Sequence, residues 1–184
     1  MGQRVAGQLA VSTTVSRMRT TVLLLALVSL LAACGGGSSG DADDAGSSLD
    51  TVESTTTKRA QEAIPLVAEA LGADVVRASR QWQSCMAISW RHEAFATLSA
   101  PSGGDTSTQL DDVRSALTGA GYDDATQVDD RVTVTRDETT VDVQPTPARG
   151  EGTWTVTVRS ECADYDGDDL ERVKGDEGGP LDGV

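Results

Sequence analysis

An apolar run, Thr21-Val22-Leu23-Leu24-Leu25-Ala26-Leu27-Val28-Ser29-Leu30-Leu31-Ala32-Ala33, stops at Cys34 and divides the chain into two parts of different composition. The run is much shorter than the roughly 20 apolar residues a helix needs to cross a bilayer. Arg4, Arg17 and Arg19 precede it without a single acid, and small residues stand at its end. A basic start, a short apolar core and small residues before a cut are the marks of a secretory signal, here residues 1–33. Met18 stands directly before Arg19, so translation from Met18 would give a compact signal of ordinary proportions. What folds is expected to do so outside the cytoplasm.

The end of the run, Leu31-Ala32-Ala33-Cys34, resembles the lipobox of bacterial lipoproteins. The resemblance implies cleavage before Cys34, a diacylglyceryl group on its thiol, and attachment to the outer, extracytoplasmic face of the cell membrane. Two acyl chains, such as palmitate, are enough for stable anchoring. After Cys34 the chain reads GGGSSGDADDAGSSLD, so residues 34–50 are expected to be a flexible tether. A coil of that length reaches on the order of 20–25 Å.

The formal net charge is −14, and loss of the three signal arginines takes it to −17. Such a surface repels phosphates, which argues against nucleic acid as a partner and against binding to anionic lipid headgroups. The bilayer is expected to hold the chain through the Cys34 acyl chains alone.

The body, residues 51–163, is expected to be one α+β domain. Residues 54–73 read as a helix, because Ala60, Ala63, Ile64, Val67, Ala70 and Leu71 share one face. Gly72 stops it. Pro65 implies a bend, or a second helix that starts there. Residues 86–98 read as a strand with Met86, Ile88 and Trp90 on its buried side, and Phe95 out of phase implies a bulge, or burial on both faces, near residues 91–94. A second helix follows, capped by Thr106 and Gln109, with Leu110, Val113 and Leu117 buried and Gly121 at its end.

Beyond Gly121 the apolar period is two. Val128, Val132 and Val134, then Val141 and Val143, then Trp154, Val156 and Val158 predict a three-stranded antiparallel meander with one wet face. The order α-β-α-β-β-β implies two helices on one face of a four-stranded, mainly antiparallel sheet. Residues 164–184 are acidic and glycine-rich with no apolar period, and are expected to be disordered.

With Cys34 acylated, Cys85 and Cys162 remain as a pair, and a disulfide between them is expected. Cys162 continues the side of Trp154, Val156 and Val158. The two lack a CxxC spacing and a basic neighbourhood, so a structural bond is the reading rather than a redox pair.

Little else carries chemistry. The single histidine, His92, lies between Arg91 and Glu93, but strand neighbours point to opposite faces, so it reads as a packed residue on the side of Ile88 and Trp90. No catalytic residue and no cofactor are assigned, and one histidine leaves no basis for zinc. The run Asp164-Tyr165-Asp166-Gly167-Asp168-Asp169 opens like a calcium loop, yet Asp169 stands where the turn glycine belongs and Gly175 where the bidentate glutamate belongs. It reads as a solvated tail, and no metal site is assigned. Asp123, Asp124, Asp129 and Asp130 read as solvated charges around a loop. Trp82, flanked by Gln81 and Gln83, has no periodic reason to be core. It is the candidate anchor for a partner, against the plainer reading that it covers the end of the core near Cys85.

The lipobox, the Gly/Ser/Asp tether and the distant pair Cys85 and Cys162 resemble the layout of small secreted lipoproteins of high-GC Gram-positive bacteria. Two lysines against thirteen arginines, and no asparagine, agree with GC-rich coding. That group implies no single activity. The expectation is a non-enzymatic envelope lipoprotein whose body binds another envelope or secreted protein through the open face of the sheet or an edge near Trp82; the alternative is carriage of a small ligand or lipid in a cavity between helices and sheet.

Overall fold

The computed structural model describes residues 48–184, so the signal segment, Cys34 and most of the tether lie outside the described residues. Helix α1 spans Leu49–Leu71, with Ser48 as its cap accepting from the Thr51 backbone N–H. It therefore starts before residue 51, and Leu49 is buried rather than part of a tether. The reason is tertiary: Leu49 packs against Trp82 and Val173, which arrive from distant parts of the chain. Ala60, Ala63, Ile64, Val67 and Leu71 form the buried stripe that their spacing implies. Pro65 sits on the exposed side of this one helix, where the carbonyl it leaves without a partner can reach water. Gly72, at φ 58°, closes the helix in the left-handed conformation.

The strands are β1 (Asp74–Ser84), β2 (Ser89–Ser99), β3 (Asp123–Asp124), β4 (Val132–Arg136), β5 (Thr139–Pro145), β6 (Thr153–Ser160), β7 (Ala163–Asp164) and β8 (Gly179–Pro180); the further helices are α2 (Thr106–Gly119) and α3 (Gly167–Lys174). The expected class, α+β with an antiparallel sheet, is the observed one, but the four-stranded, two-helix layout is exceeded. Among the described residues eight strands form one sheet in the order β3-β4-β5-β6-β2-β1-β8, with β7 added beside β2. Within it the order β4-β5-β6-β2 is the expected meander next to the first expected strand.

α1 lies across β2, β6 and β5, and α2 packs on α1 and β4, so both cover the same face. Between them and the sheet sit Leu98, Leu110, Val113, Leu117, Val134 and Val156, among others. Asp105, not Thr106, caps α2. Its carboxylate accepts from the Thr108 N–H at 2.9 Å and from the hydroxyls of Ser107 and Thr108, and those bonds hold its pKa below the usual carboxylate value. Val128 is half-exposed and precedes the strand it was expected to join.

β1 carries almost no apolar alternation, and only Trp82 is buried along it. Its pairing with β2 runs the whole length, from Asp74 opposite Ser99 to Ser84 opposite Trp90. The irregularity lies between Val75 and Arg77 in β1; residues 91–94 of β2 keep a regular register. Phe95 needs no bulge, because it simply faces the other side of the sheet from Ala94 and Ala96. Met86 and Ile88 lie in the β1–β2 turn and are exposed, so they do not belong to the buried face.

Cys85 and Cys162 are joined, with Cα atoms 6.4 Å apart. The bond ties the β1–β2 turn to the residues after β6. Cys162 is exposed there, beyond the strand rather than on its buried side. The sequence separation of 77 corresponds to roughly 4–5 kcal/mol in the chain-entropy model, an upper-end value.

The acidic C-terminal segment is ordered, contrary to its composition. Val173 of α3 packs on Trp82 and Leu49, and Leu181 enters the main core. β8 then pairs with the outer edge of β1 at Ser79 and Arg80. The Trp82 N–H donates to the Asp176 carboxylate at 2.7 Å, and the Leu181 N–H to the Ala78 carbonyl. The approach is close enough that a Cβ on Gly178, at φ 70°, would lie 2.8 Å from the Arg80 carbonyl oxygen. No helix among the described residues is long and apolar enough to cross a membrane.

Candidate functional site

Alternation along β1 and β2 sets Trp82 and His92 opposite each other on the helix-covered side. Their rings meet edge-on at 5.2 Å, and Tyr165 meets Trp82 edge-on at 5.6 Å. Trp82 is 7% exposed, so it offers no surface to a partner. It closes the end of the core near the disulfide, with Leu49 and Val173. The outer edge of β1 beside it is covered by Asp176 and β8.

His92 is fully buried, and neither ring nitrogen has a hydrogen-bond partner. Burial drives its pKa down to about 4; Glu53 and Asp176 oppose that shift and Arg80 adds to it. A neutral, unpartnered imidazole against aromatic rings is a packing residue. Its backbone N–H donates to the Ser160 hydroxyl at 3.0 Å, which links β2 to β6 at this end.

A half-open cleft of about 330 Å³ lies at the same end, bounded by Val52, Thr56, Glu138, Thr139 and Tyr165. Thr56 spends its hydroxyl on the Val52 carbonyl. Burial raises the pKa of the Tyr165 phenol, and the Asp169 carboxylate adds to the effect. His92 does not line the cleft.

The acids singled out in the sequence do not converge. Asp164 pairs with Ser89 in the short β7–β2 ladder, and Asp168 and Asp169 stand in the first turn of α3. Asp124 accepts from the Thr126 N–H and faces Arg114 at 3.5 Å, while Asp130 lies 3.3 Å from Arg131. Among the described residues no three His, Cys, Asp or Glu side chains gather as a metal site. Cys34 lies outside the described residues.

The largest feature not anticipated residue by residue is the second face of the sheet. Among the described residues no helix covers it, because α1 and α2 share the other face and α3 packs on Trp82. Cross-strand pairs place Phe95 beside Ser79 and Thr157, Thr97 beside Arg77 and Thr155, and Thr157 beside Asp142. Arg159 binds Asp142 at 2.5 Å and Arg91 binds Glu93 at 3.2 Å. Phe95, the chain's single phenylalanine, is partly buried there, with the Arg149 guanidinium carbon 5.7 Å from its ring centre. The sequence signal for this face was the threonine at every second position of residues 153–157 and 133–135, together with the displaced phase of Phe95.

No protein-family model matches this chain, and comparison with curated proteins and with solved structures returned no match.

Proposed function

We propose that the chain is a lipoprotein anchored through Cys34 to the outer face of the cell membrane, and that its body is a non-enzymatic module binding another envelope or secreted protein. The observation that supports this reading is the sheet face left uncovered among the described residues, five strands wide, with a partly exposed aromatic ring among hydroxyls and guanidinium groups. Aromatic and arginine side chains supply most of the energy in protein contacts. Strands with both faces to hand normally bury the more apolar one and leave the other wet. A sheet face is also stiff, so docking on it costs little ordering.

The second reading, a small-ligand or lipid carrier, rests on the cleft beside Tyr165. At about 330 Å³ it stands at the lower end of the range for ligand sites, and it is half-open rather than enclosing.

Site-specific photo-cross-linking in intact cells tests the first reading. A cross-linker at Thr157, on the open face, is expected to give one discrete protein adduct, and one at Ser115, on the exposed side of α2, none. Equal patterns at both positions, or no adduct at Thr157, would remove the open face as the contact. In the same cells Cys34→Ala is expected to move the protein from the membrane fraction to the soluble one; retention would overturn the anchor.

A further inference from the structure

His92 is buried where the C-terminal segment closes over the end of the sheet. Its ring is wholly enclosed, and no donor or acceptor reaches Nδ1 or Nε2. Trp82 covers it edge-on. Trp82 is in turn held from outside by Val173 of α3, by Tyr165 and by the Asp176 carboxylate that accepts from its backbone N–H. Leu49, Trp82 and Val173 form a small cluster apart from the main core. A small cluster with few buried side chains opens locally at less cost than the whole domain. The C-terminal segment is fastened at two points: the disulfide pins Cys162, and Leu181 enters the main core. What lies between them, α3 and Asp176, can lift without the sheet coming apart.

Charge decides when it lifts. The charged groups acting on the ring are Glu53 of α1, Arg80 of β1 and Asp176 of the C-terminal segment, while β6 presents the Ser160 hydroxyl to the His92 backbone. Its strand neighbours Arg91 and Glu93 bind each other on the opposite face of the sheet. Both nearby carboxylates are already engaged. Glu53 binds Arg80 and lies 3.6 Å from Arg172, and Asp176 accepts from Trp82. The Tyr165 phenol, beyond Trp82, is neutral throughout the acid range. A proton added to the enclosed ring therefore creates a cation with no acceptor, which burial makes costly. With Trp82 swung aside, the same proton meets water. The enclosed ring stays neutral down to about pH 4, against an ordinary value near 6.5 once hydrated.

We propose that the segment between Cys162 and Leu181 is an acid-released strap: protonation of His92 lifts α3 and Asp176 off Trp82 and uncovers the outer edge of β1 around that residue. On the outer face of a membrane, where the Cys34 anchor would hold the body, the strap answers to the pH of the surroundings. It works whether or not the body binds a protein through its open face.

The test is hydrogen exchange of the full-length chain in detergent micelles at pH 7 and pH 5, each corrected for the intrinsic exchange rate. Between those values the population with the strap lifted should rise about twentyfold, the factor set by the difference in proton affinity between the enclosed and the hydrated ring. The amides of Trp82 and α3 should quicken by that factor relative to those of β6. His92→Leu and His92→Gln, neither of which titrates, should abolish the acceleration, and either serves if the other does not fold. Val173→Ala, which loosens the strap without touching the imidazole, should quicken the same amides already at pH 7 and keep the response to acid. No acceleration in the parent, an equal acceleration in β6, or one that survives without the imidazole overturns the proposal.

Discussion

The same strands build both faces of the sheet, and the two faces follow different rules. On the covered side Ala94, Ala96, Leu98, Val156 and Val158 are wholly buried beneath α1 and α2. On the other side, one residue away along each strand, stand Glu93, Phe95, Thr97, Thr157 and Arg159, each partly exposed. The covered face answers to packing, where each methylene removed costs transfer energy and leaves a cavity. The open face answers to hydrogen bonding and charge, where a substitution alters recognition more than stability. Position along the chain counts for less than parity.

Leu98→Ala should show the largest effect, about 2–5 kcal/mol of stability lost in denaturant unfolding, because Leu98 is fully enclosed. Phe95→Ala, with a larger side chain removed from the open face, should cost less than Leu98→Ala; an equal or greater loss would break the distinction.

Acid comes next. In the folded state burial holds His92 neutral down to about pH 4, whereas in the unfolded chain it titrates near 6.5. Between those values the unfolded state binds the extra proton, so stability is complete above pH 6.5 and falls on acidification towards 4, by up to about 3 kcal/mol. His92→Leu, which removes two unpartnered nitrogens, should flatten this slope between pH 7 and 4.5. An unchanged slope would show that another group carries it.

The exchange Val156→Thr should cost about 1–3 kcal/mol, since a hydroxyl would enter a site with no partner. Its neighbour Thr157→Val, on the open face, should stay within about 0.5 kcal/mol. Equal changes in the two unfolding midpoints would mean that the open face is covered in solution.

At the edge of the sheet Asp176→Ala removes the carboxylate that accepts from the Trp82 N–H and should cost about 1–3 kcal/mol. Hydrogen exchange should quicken at Trp82 and leave the amides of β6 unaffected. Matching protection in the two proteins would show that the C-terminal segment does not secure the edge.

What could be read from the chain was whatever repeats locally. The stripes of α1 and α2, the valines of the meander and Trp154 announce their faces by spacing alone, because a helix or strand with one buried side imposes its own period. The disulfide was legible by counting, once Cys34 was set aside. Trp82 was not. Its burial depends on Leu49, Val173 and Tyr165, each remote in sequence, and no window around Gln81-Trp82-Gln83 contains them. β1 failed for the same reason: it borrows its place from pairing with β2, and its outer edge is closed by the last residues of the chain. The candidate face was legible only in outline, as one wet side of a meander; that Arg149 folds onto Phe95 depends on the course of the loop between β5 and β6.

The sequence by itself therefore determined the elements with an apolar period, the class of the fold, the covalent link and the marks of export. Tertiary structure alone decided that an acidic, glycine-rich tail is ordered and that a polar segment becomes a strand. Composition makes such a tail costly to order, but two buried anchors, Val173 and Leu181, and a ready strand edge offset that cost. Local periodicity carries information about burial only where an element supplies its own buried face. Where burial is supplied by partners far along the chain, only their meeting in space reveals it.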